Sequence, residues 1–180
     1  MRKKQIKFII EVSIFSALGL VLDLVCGMYC APVWLNGGSI TFAFIPIFIM
    51  GYRHGLKGGL LTGFLVGTLQ ILWSKYLLSL PQVLLDYVIP NVVLGLVGLV
   101  HKQVKNNNRL ISSIYITISI IFVCFLRLAS LTLSGMWFWE TGFIASVIYN
   151  GSYTLVSTGI CLVLTLILIN FTANKLLKTE

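Results

Sequence analysis

Long apolar runs separated by short polar segments make up most of this chain. A helix perpendicular to a membrane needs about 20 mainly apolar residues, and most of the runs approach or exceed that length. The second run is short and contains Pro46, whereas the last is long enough to tilt or to continue past the bilayer. The pattern predicts six transmembrane helices, near Ile6–Val25, Ile40–Gly51, Leu56–Trp73, Pro81–Val100, Leu110–Ser134 and Phe143–Phe171.

The composition agrees with a membrane environment. Of the 180 residues, 58% are hydrophobic and 10% are charged, and the mean hydropathy is +0.98. So few charges cannot cover the surface of a soluble domain. The net charge of +8 comes from basic residues at the ends of apolar runs, with no basic patch that would suit nucleic acid. We expect residues 1–180 to form one all-α, multi-pass domain in the plasma membrane, in contact with the lipid bilayer.

The positions of Lys and Arg predict the orientation of the bundle. The side that collects basic residues is cytoplasmic, which places both termini there. Glu11 interrupts the first apolar run, and no small-x-small cleavage site follows, so we expect a retained helix and not a signal peptide. Lys75 lies on the outer side and Arg127 within the fifth run. The other basic residues share the cytoplasmic side: Arg2, Lys3, Lys4, Lys7, Arg53, Lys57, Lys102, Lys105, Arg109, Lys175 and Lys178.

The four cysteines follow no metal-ligand spacing. Cys26 and Cys30 flank the first loop, and Cys124 and Cys161 lie in apolar runs, where cysteine behaves as a small hydrophobe. We expect neither a metal nor a cofactor and no functional disulfide, although the residues leave a Cys26–Cys30 bond open.

The stretch LLDYVIPN, residues 84–91, places an acid inside an apolar run. On translocon scales an acid at a helix centre costs roughly 2.5 to 3.5 kcal/mol, so Asp86 requires a partner. One interpretation is an ion pair with Arg127, which lies at a comparable depth in the fifth run. The other is an outward-facing cavity in which Asp86 and Tyr87 meet Tyr149 and Asn150 of the sixth run. The residues alone leave both open.

The tryptophans favour the cavity for some of their number, whereas Trp73 is interpreted as part of an interfacial belt. Trp34, Trp73, Trp137 and Trp139 all lie at or near the outer side, whereas an interfacial aromatic belt would place tryptophan at both interfaces. Aromatic faces beside a carboxylate hold an organic cation, since a desolvated cation–π contact contributes ~2 kcal/mol or more.

Small residues form two periodic patterns. On the first helix, Ser13, Ala17 and Val21 mark a face that suits close helix approach, either inside the bundle or against another protein. A second pattern, which we interpret as packing inside the bundle, recurs every four residues: Gly51, Gly55, Gly59, Gly63 and Gly67.

Taken together, the chain resembles the substrate-binding S components of energy-coupling factor (ECF) vitamin transporters, most closely the thiamine-specific ones. The resemblance spans nearly the whole chain, through EVSIFSALGLVLDL, GGSITFAFIPIFIMGYRHGLKGGLLTGFLVGTLQ, PQVLLDYVIPNVVLGLVGL, LSGMWFW and IYNGSY. It implies a six-helix protein that binds thiamine, or a close thiamine-like cation or precursor, from outside. It also implies delivery by docking onto a transmembrane coupling protein and two ATPase subunits, without catalysis by this chain.

The resemblance assigns roles to individual residues. Asp86 matches the acid that faces the thiazolium charge, with Tyr87 after it. Trp139 matches a tryptophan that stacks on the ligand, and Asn150 matches an asparagine that hydrogen-bonds the aminopyrimidine. Trp34 and Tyr149 complete the predicted binding set. The stretch from Ser13 to Ala17 stands where the family carries its Ala-x-x-x-Ala docking motif.

Three positions depart from the family pattern. Leu131 replaces a histidine, Ala145 replaces a pocket tyrosine, and Val66 stands where a tryptophan is frequent. The alternative functions are a small integral membrane enzyme or a scaffold without transport activity. An enzyme would need paired acids, histidines or metal ligands, and no such pair is evident among the acids of this sequence.

Overall fold

The structure, a computed structural model, describes residues 2–30, 33–34, 38–74 and 77–171, and within these ranges every regular element is helical. Lys75, Lys175 and Lys178, used above to orient the chain, lie outside the described residues. Five helices in the described part are long and apolar enough to cross a membrane. They are α1 (Arg2–Cys30), α2 (Phe44–Gln70), α3 (Leu80–Asn106), α4 (Arg109–Phe138) and α5 (Phe143–Phe171). The all-helical prediction is confirmed.

The predicted second and third helices are joined in α2, which is broken at Gly55. This residue has φ 71° and ψ −160°, a conformation that glycine adopts without the steric penalty of a side chain. Gly51 and Gly59, on opposite sides of the break, both approach residues 95–98 of α3. The chain therefore turns back at Gly55, and two helical arms, residues 44–54 and 56–70, pack beside α3. A 3₁₀ turn, Ile71–Trp73, follows the second arm.

The first arm begins at Phe44, four residues later than predicted from Ile40. The segment before it is non-helical because Thr41 draws the backbone into side-chain hydrogen bonds. The Thr41 hydroxyl accepts from the Ala43 N–H at 3.1 Å, and the Thr41 N–H donates to the Ser157 hydroxyl at 3.1 Å. Such local bonds compete with the helix ladder.

Helix α3 changes its winding along its length. An α-helical start, Leu80–Val83, passes into a π-helical segment, Leu84–Val88, and then back to α-helix over Ile89–Leu94. Pro90 explains the change, because it has no N–H for the Asp86 carbonyl and its ring would collide with that carbonyl in a regular helix. The remainder is a 3₁₀ segment, Gly95–Val100, and a final α-helical turn, His101–Asn106.

The glycine pattern packs α2 against α3, as predicted. A Cβ atom added at Gly67 would lie 2.5 Å from the Tyr87 carbonyl oxygen, and one at Gly63 would collide with the backbone of Asn91. The two backbones therefore meet without intervening side chains. The surrounding core is apolar and includes Phe44, Ile47, Phe48, Tyr52, Leu94, Val97, Ile116 and Ile120.

Candidate functional site

Two adjoining cavities lie at the end of the bundle where α3 begins and α4 ends. The first chamber has a volume of about 360 Å³ and the second about 340 Å³. They share the walls formed by Gly38, Asp86, Tyr87, Leu131 and Tyr153. Tryptophan, tyrosine and carboxylate side chains of both chambers come from segments far apart in sequence, which the bundle brings together.

Asp86 stands on the boundary between the chambers, and neutral donors hold it. Gln82 donates through Nε2 to Asp86 Oδ2 at 2.5 Å, and Trp139 donates through Nε1 to the same oxygen at 3.4 Å. Gln82 is itself fixed, since its Oε1 accepts from the Leu78 N–H at 3.1 Å. Within the described residues no salt bridge reaches Asp86. Among the described residues the carboxylate is thus oriented by neutral donors.

The aromatic side chains of the predicted set line the same two chambers. Tyr87 contacts both, Trp139 and Tyr149 line the first, and Trp34 lines the second. Ser74 donates to the Tyr87 hydroxyl oxygen at 2.6 Å, and the Gly38 N–H donates to that of Tyr149 at 3.3 Å. These bonds fix the rings at the chamber walls.

Trp34 is anchored by a hydrogen bond and a ring contact. Its indole Nε1 donates to the Ser152 hydroxyl at 2.9 Å, and its ring meets Tyr153 edge-on at 6.3 Å between centroids. Tyr149 meets Tyr153 in the same way at 5.9 Å. Tyr153, which sequence reasoning missed, therefore joins the aromatic walls of the two chambers.

Asn150 lines the first chamber, and its amide is already engaged by the protein. Its Nδ2 donates to the carbonyl oxygens of Leu131 and Ser146 at 3.3 and 3.0 Å, and its Oδ1 accepts from the Tyr153 hydroxyl at 2.6 Å. An amide oxygen has a second lone pair, so Asn150 retains one acceptor position.

Arg127 does not pair with Asp86 among the described residues. Its Nη1 donates to Asn91 Oδ1 at 3.3 Å, and its guanidinium carbon lies 4.7 Å from the centroid of the Phe44 ring. The nearby acid with which it interacts electrostatically is Asp23 on α1. The ion-pair interpretation of Asp86 is therefore wrong, and Arg127 belongs to a network in the second chamber.

Two further residues of the site were missed by sequence reasoning. Gln82 lies four residues before Asp86, one helical turn away, and that spacing was a usable signal. Asp23 is an acid within the first apolar run, which was equally visible. Its partner Thr41, which donates to Asp23 Oδ1 at 2.9 Å, could not be found because it lies in a different segment.

The predicted docking residues lie on the outside of α1. Ser13 and Ala17 are exposed, whereas Val12 and Ser16 of the same helix are buried. At the start of α1, Glu11 accepts from Arg53 at 2.7 and 2.8 Å and contacts His54. This clamp holds the helix against the Gly55 turn, with the face of Ser13 and Ala17 directed away from the bundle.

Of the three departures from the family pattern, Leu131 and Ala145 line the first chamber, and Val66 is fully buried in the core. The substitutions with the most direct access to a ligand are thus the first two.

The fold and the site define a class: a multi-pass membrane protein with small-molecule-sized, aromatic-walled chambers near one end of its helix bundle. A family model described as "Thiamine transporter protein" matches residues 9–177. The thiamine transporter ThiT of Bacillus subtilis is 34% identical over 194 residues, covering 99% of this chain and 98% of that protein. A solved structure of ThiT from Listeria monocytogenes superposes with a TM-score of 0.82 at 24% identity, covering 97% of this chain and 98% of that one, which identifies the fold. The chain belongs to the thiamine transporter protein family.

Membership settles the broad class of function. The family consists of plasma-membrane transport proteins and not of enzymes, so the alternatives of a small membrane enzyme and of a scaffold are set aside. The predicted multi-pass membrane location agrees with the five apolar helices in the described part of the chain.

Proposed function

We propose that this chain is the thiamine-binding S component of an ECF-type importer. The observation that carries the proposal is Asp86, a carboxylate oriented by two neutral donors at the junction of two aromatic-walled chambers. A fixed negative charge beside tryptophan and tyrosine faces suits an aromatic cation, because charge attraction and cation–π attraction then act on the same ligand. Thiamine carries such a charge on its thiazolium ring.

Each site residue takes a part in this arrangement. Asp86 faces the thiazolium charge at the junction, and Trp139, next to it, supplies a stacking face. Asn150 offers its free acceptor position to the aminopyrimidine amine. The remaining walls of the two chambers include the side chains of Tyr87, Tyr149 and Trp34.

The membrane topology we propose has six spans in one domain, residues 1–180, with both termini in the cytoplasm. Two observations support it. Gly55 breaks α2 into two arms, residues 44–54 and 56–70, which this proposal counts as two separate spans. The basic residues near that turn, at the end of α3 and at the start of α4 share one end of the bundle, opposite the chambers: Arg53, Lys57, Lys102, Lys105 and Arg109.

Delivery of the vitamin requires partner chains, which we propose to be a transmembrane coupling protein and two ATPase subunits. The exposed small face of Ser13 and Ala17 on α1 supports this docking role, because small residues let a partner helix approach closely. The Glu11 clamp keeps that face turned outward.

A direct test is calorimetric titration of the purified full chain in detergent with thiamine, and with riboflavin as a neutral aromatic vitamin. We expect saturable, one-to-one binding of thiamine and no binding of riboflavin. Binding of riboflavin in preference to thiamine would refute the proposed substrate, since a neutral ring leaves Asp86 without a charge partner.

A further inference from the structure

Two cysteines lie one helical turn apart at the end of α1, outside the walls of both chambers. Cys26 and Cys30 are both free thiols and both partly exposed. They belong to the end of the bundle where the chambers lie, because Gly27 and Met28, which separate them in the chain, line the second chamber. The binding roles proposed above use neither thiol.

Both sulfur atoms face the same short backbone segment, residues 40–42. Cys30 Sγ donates to the Ile40 carbonyl oxygen at 3.8 Å, and the backbone of Phe42 hydrogen-bonds the Cys26 sulfur. Residues four apart on an α-helix share a face, so these contacts agree with the helical spacing. The two thiols also interact electrostatically with each other. They form a pair that converges on residues 40–42.

The spacing of the pair decides which chemistry can join the two sulfurs. Side chains four residues apart on a helix have Cβ atoms about 5 to 6 Å apart, whereas a disulfide needs a Cβ–Cβ distance of about 3.5 to 4.5 Å. A direct bond between Cys26 and Cys30 would therefore unwind the last turn of α1. A third atom between the sulfurs lengthens the bridge by one bond. The intact helix thus suits a bridging atom and not a disulfide.

Trivalent arsenic is the bridging atom that suits these surroundings. It bonds two thiol sulfurs and needs no third ligand from the protein. In the described part of the chain, no three His, Cys, Asp or Glu side chains are grouped so as to hold a metal ion. The charged side chain that interacts with Cys26 is the acid Asp23, which repels anionic reagents but not the uncharged trivalent arsenicals.

We propose that Cys26 and Cys30 form a dithiol site for trivalent arsenicals, and that its occupation weakens thiamine binding. With an aryl arsenic oxide, two S–H bonds and the arsenic–oxygen double bond break, and two arsenic–sulfur bonds form. The oxygen leaves as water with both thiol protons. Arsenic stays trivalent, so no oxidant or reductant takes part. The dithiol site is independent of the proposed function, whereas the effect on thiamine rests on it.

The segment that the two sulfurs contact also supports the second chamber. Its Thr41 lines that chamber and donates to Asp23 Oδ1 at 2.9 Å. The Thr41 N–H donates to the Ser157 hydroxyl at 3.1 Å. Since both sulfurs already touch residues 40–42, an aryl arsenic group held between them lies against this segment and displaces it. Thr41 then leaves its partners, and the chamber wall moves with it.

The test treats the purified full chain in detergent with phenylarsine oxide and follows the adduct by intact-protein mass spectrometry. We expect one arsenical per chain, retained against excess 2-mercaptoethanol and released by 2,3-dimercaptopropanol, which offers two thiols. Cys26→Ser and Cys30→Ser should each hold the arsenical at least about 100-fold less tightly, because the second sulfur acts as an intramolecular ligand. Digestion of the parent adduct should place arsenic on the peptide with both cysteines, a measurement that needs no substitution.

Cys161→Ser is the matched control. Cys161 Sγ donates to the Thr41 carbonyl oxygen of the same segment at 3.3 Å, but the side chain is fully buried, and serine keeps a donor there. This variant should retain the arsenical as the parent does. Calorimetric titration of the parent before and after treatment should show about tenfold weaker thiamine binding by the adduct, the effect of disturbing one hydrogen bond to a charged group.

Removal of the arsenical from the parent by 2-mercaptoethanol would overturn the dithiol site, and so would arsenic located on Cys124 or Cys161. An adduct at Cys26 and Cys30 with unchanged thiamine affinity would overturn the effect on binding. Failure of the untreated parent to bind thiamine would refute the proposed function and that effect with it. The mass and digestion measurements would still decide the dithiol site.

Discussion

Replacing Asp86 with asparagine removes the charge of the site while keeping its shape. The substituted side chain retains a carbonyl oxygen that can accept from Gln82 and Trp139, which now donate to Asp86 Oδ2 at 2.5 and 3.4 Å. The parent and the Asp86→Asn variant therefore differ mainly in the electrostatic attraction that the side chain at position 86 exerts on a cation.

The magnitude follows from the position of the carboxylate. Truncating one member of a buried charge pair costs about 2 to 5 kcal/mol of binding free energy. Asp86 is half-buried and lies at the junction of two chambers, where solvent screens part of the attraction. We therefore expect the lower part of that range, about 2 to 3 kcal/mol, or a 30- to 150-fold higher Kd for thiamine.

The effect of Asp86→Asn on stability separates this account of Asp86 from the alternative in which Asp86 pairs with Arg127. Because the described partners of Asp86 are neutral, the substitution strands no buried cation, and the melting temperature of the ligand-free protein should change little. If Arg127 depended on Asp86, the same change would leave an uncompensated buried charge and destabilise the fold by about 3 to 5 kcal/mol.

Calorimetric titration with thiamine, together with a thermal melt without ligand, measures both quantities. Glu140→Gln, which removes an exposed acid near the same end of the bundle, serves as the control and should bind as the parent does. Parent-like thiamine affinity in Asp86→Asn would refute the role of Asp86, and a sharply lowered melting temperature would refute the account of its partners.

Three further predictions concern packing, docking and topology. Gly63→Ala should destabilise the protein by about 1 to 3 kcal/mol, because the added methyl meets the α3 backbone. The control Gly159→Ala, whose added methyl meets nothing within 4 Å, should be neutral or slightly stabilising. Equal melting temperatures of the two variants would contradict the packing account. Ala17→Trp should abolish thiamine uptake in cells without changing thiamine binding by the purified protein. The control Ala129→Trp changes an exposed small residue on α4 and should preserve uptake. Loss of thiamine binding in Ala17→Trp would mean that this face of α1 packs internally. In a protein whose Cys26, Cys30, Cys124 and Cys161 are replaced by serine, Asn107→Cys should react with a membrane-impermeant maleimide only after the cells are opened. Labelling in intact cells would overturn the cytoplasmic placement of the α3–α4 junction.

The sequence was informative wherever one helix carries the whole signal. The apolar runs predicted α1, α3, α4 and α5, and they predicted the two arms of α2 as separate helices. The four-residue glycine repeat predicted packing inside the bundle. Asp86 was identified as a site residue because an isolated acid in an apolar run is costly wherever it lies. These features depend on residues close together in the chain.

Features that depend on how the helices meet could not be predicted. Arg127 and Asn91 are 36 residues apart, and Thr41 and Asp23 are 18 apart. The choice of Asn91 and Asp23 over Asp86 as neighbours of Arg127 follows from the packing of four segments, which no local pattern encodes. The late start of the first arm of α2 was missed for the same reason, since Ser157 on α5 holds the backbone of Thr41.

The π-helical segment at Leu84–Val88 also sets the angular phase of α3. A π turn holds about one residue more than an α-helical turn, and one residue corresponds to about 100° of rotation around an α-helix. The widened segment thus rotates the part of α3 that carries Gln82 about the helix axis, relative to the part whose Asn91 and Gly95 face α2. Deleting a single residue between Leu84 and Val88 would remove this offset and restore regular winding. The helix could then direct either its chamber residues or its packing face correctly, but not both. The fold is therefore expected to tolerate a substitution in this short segment far better than a change of its length.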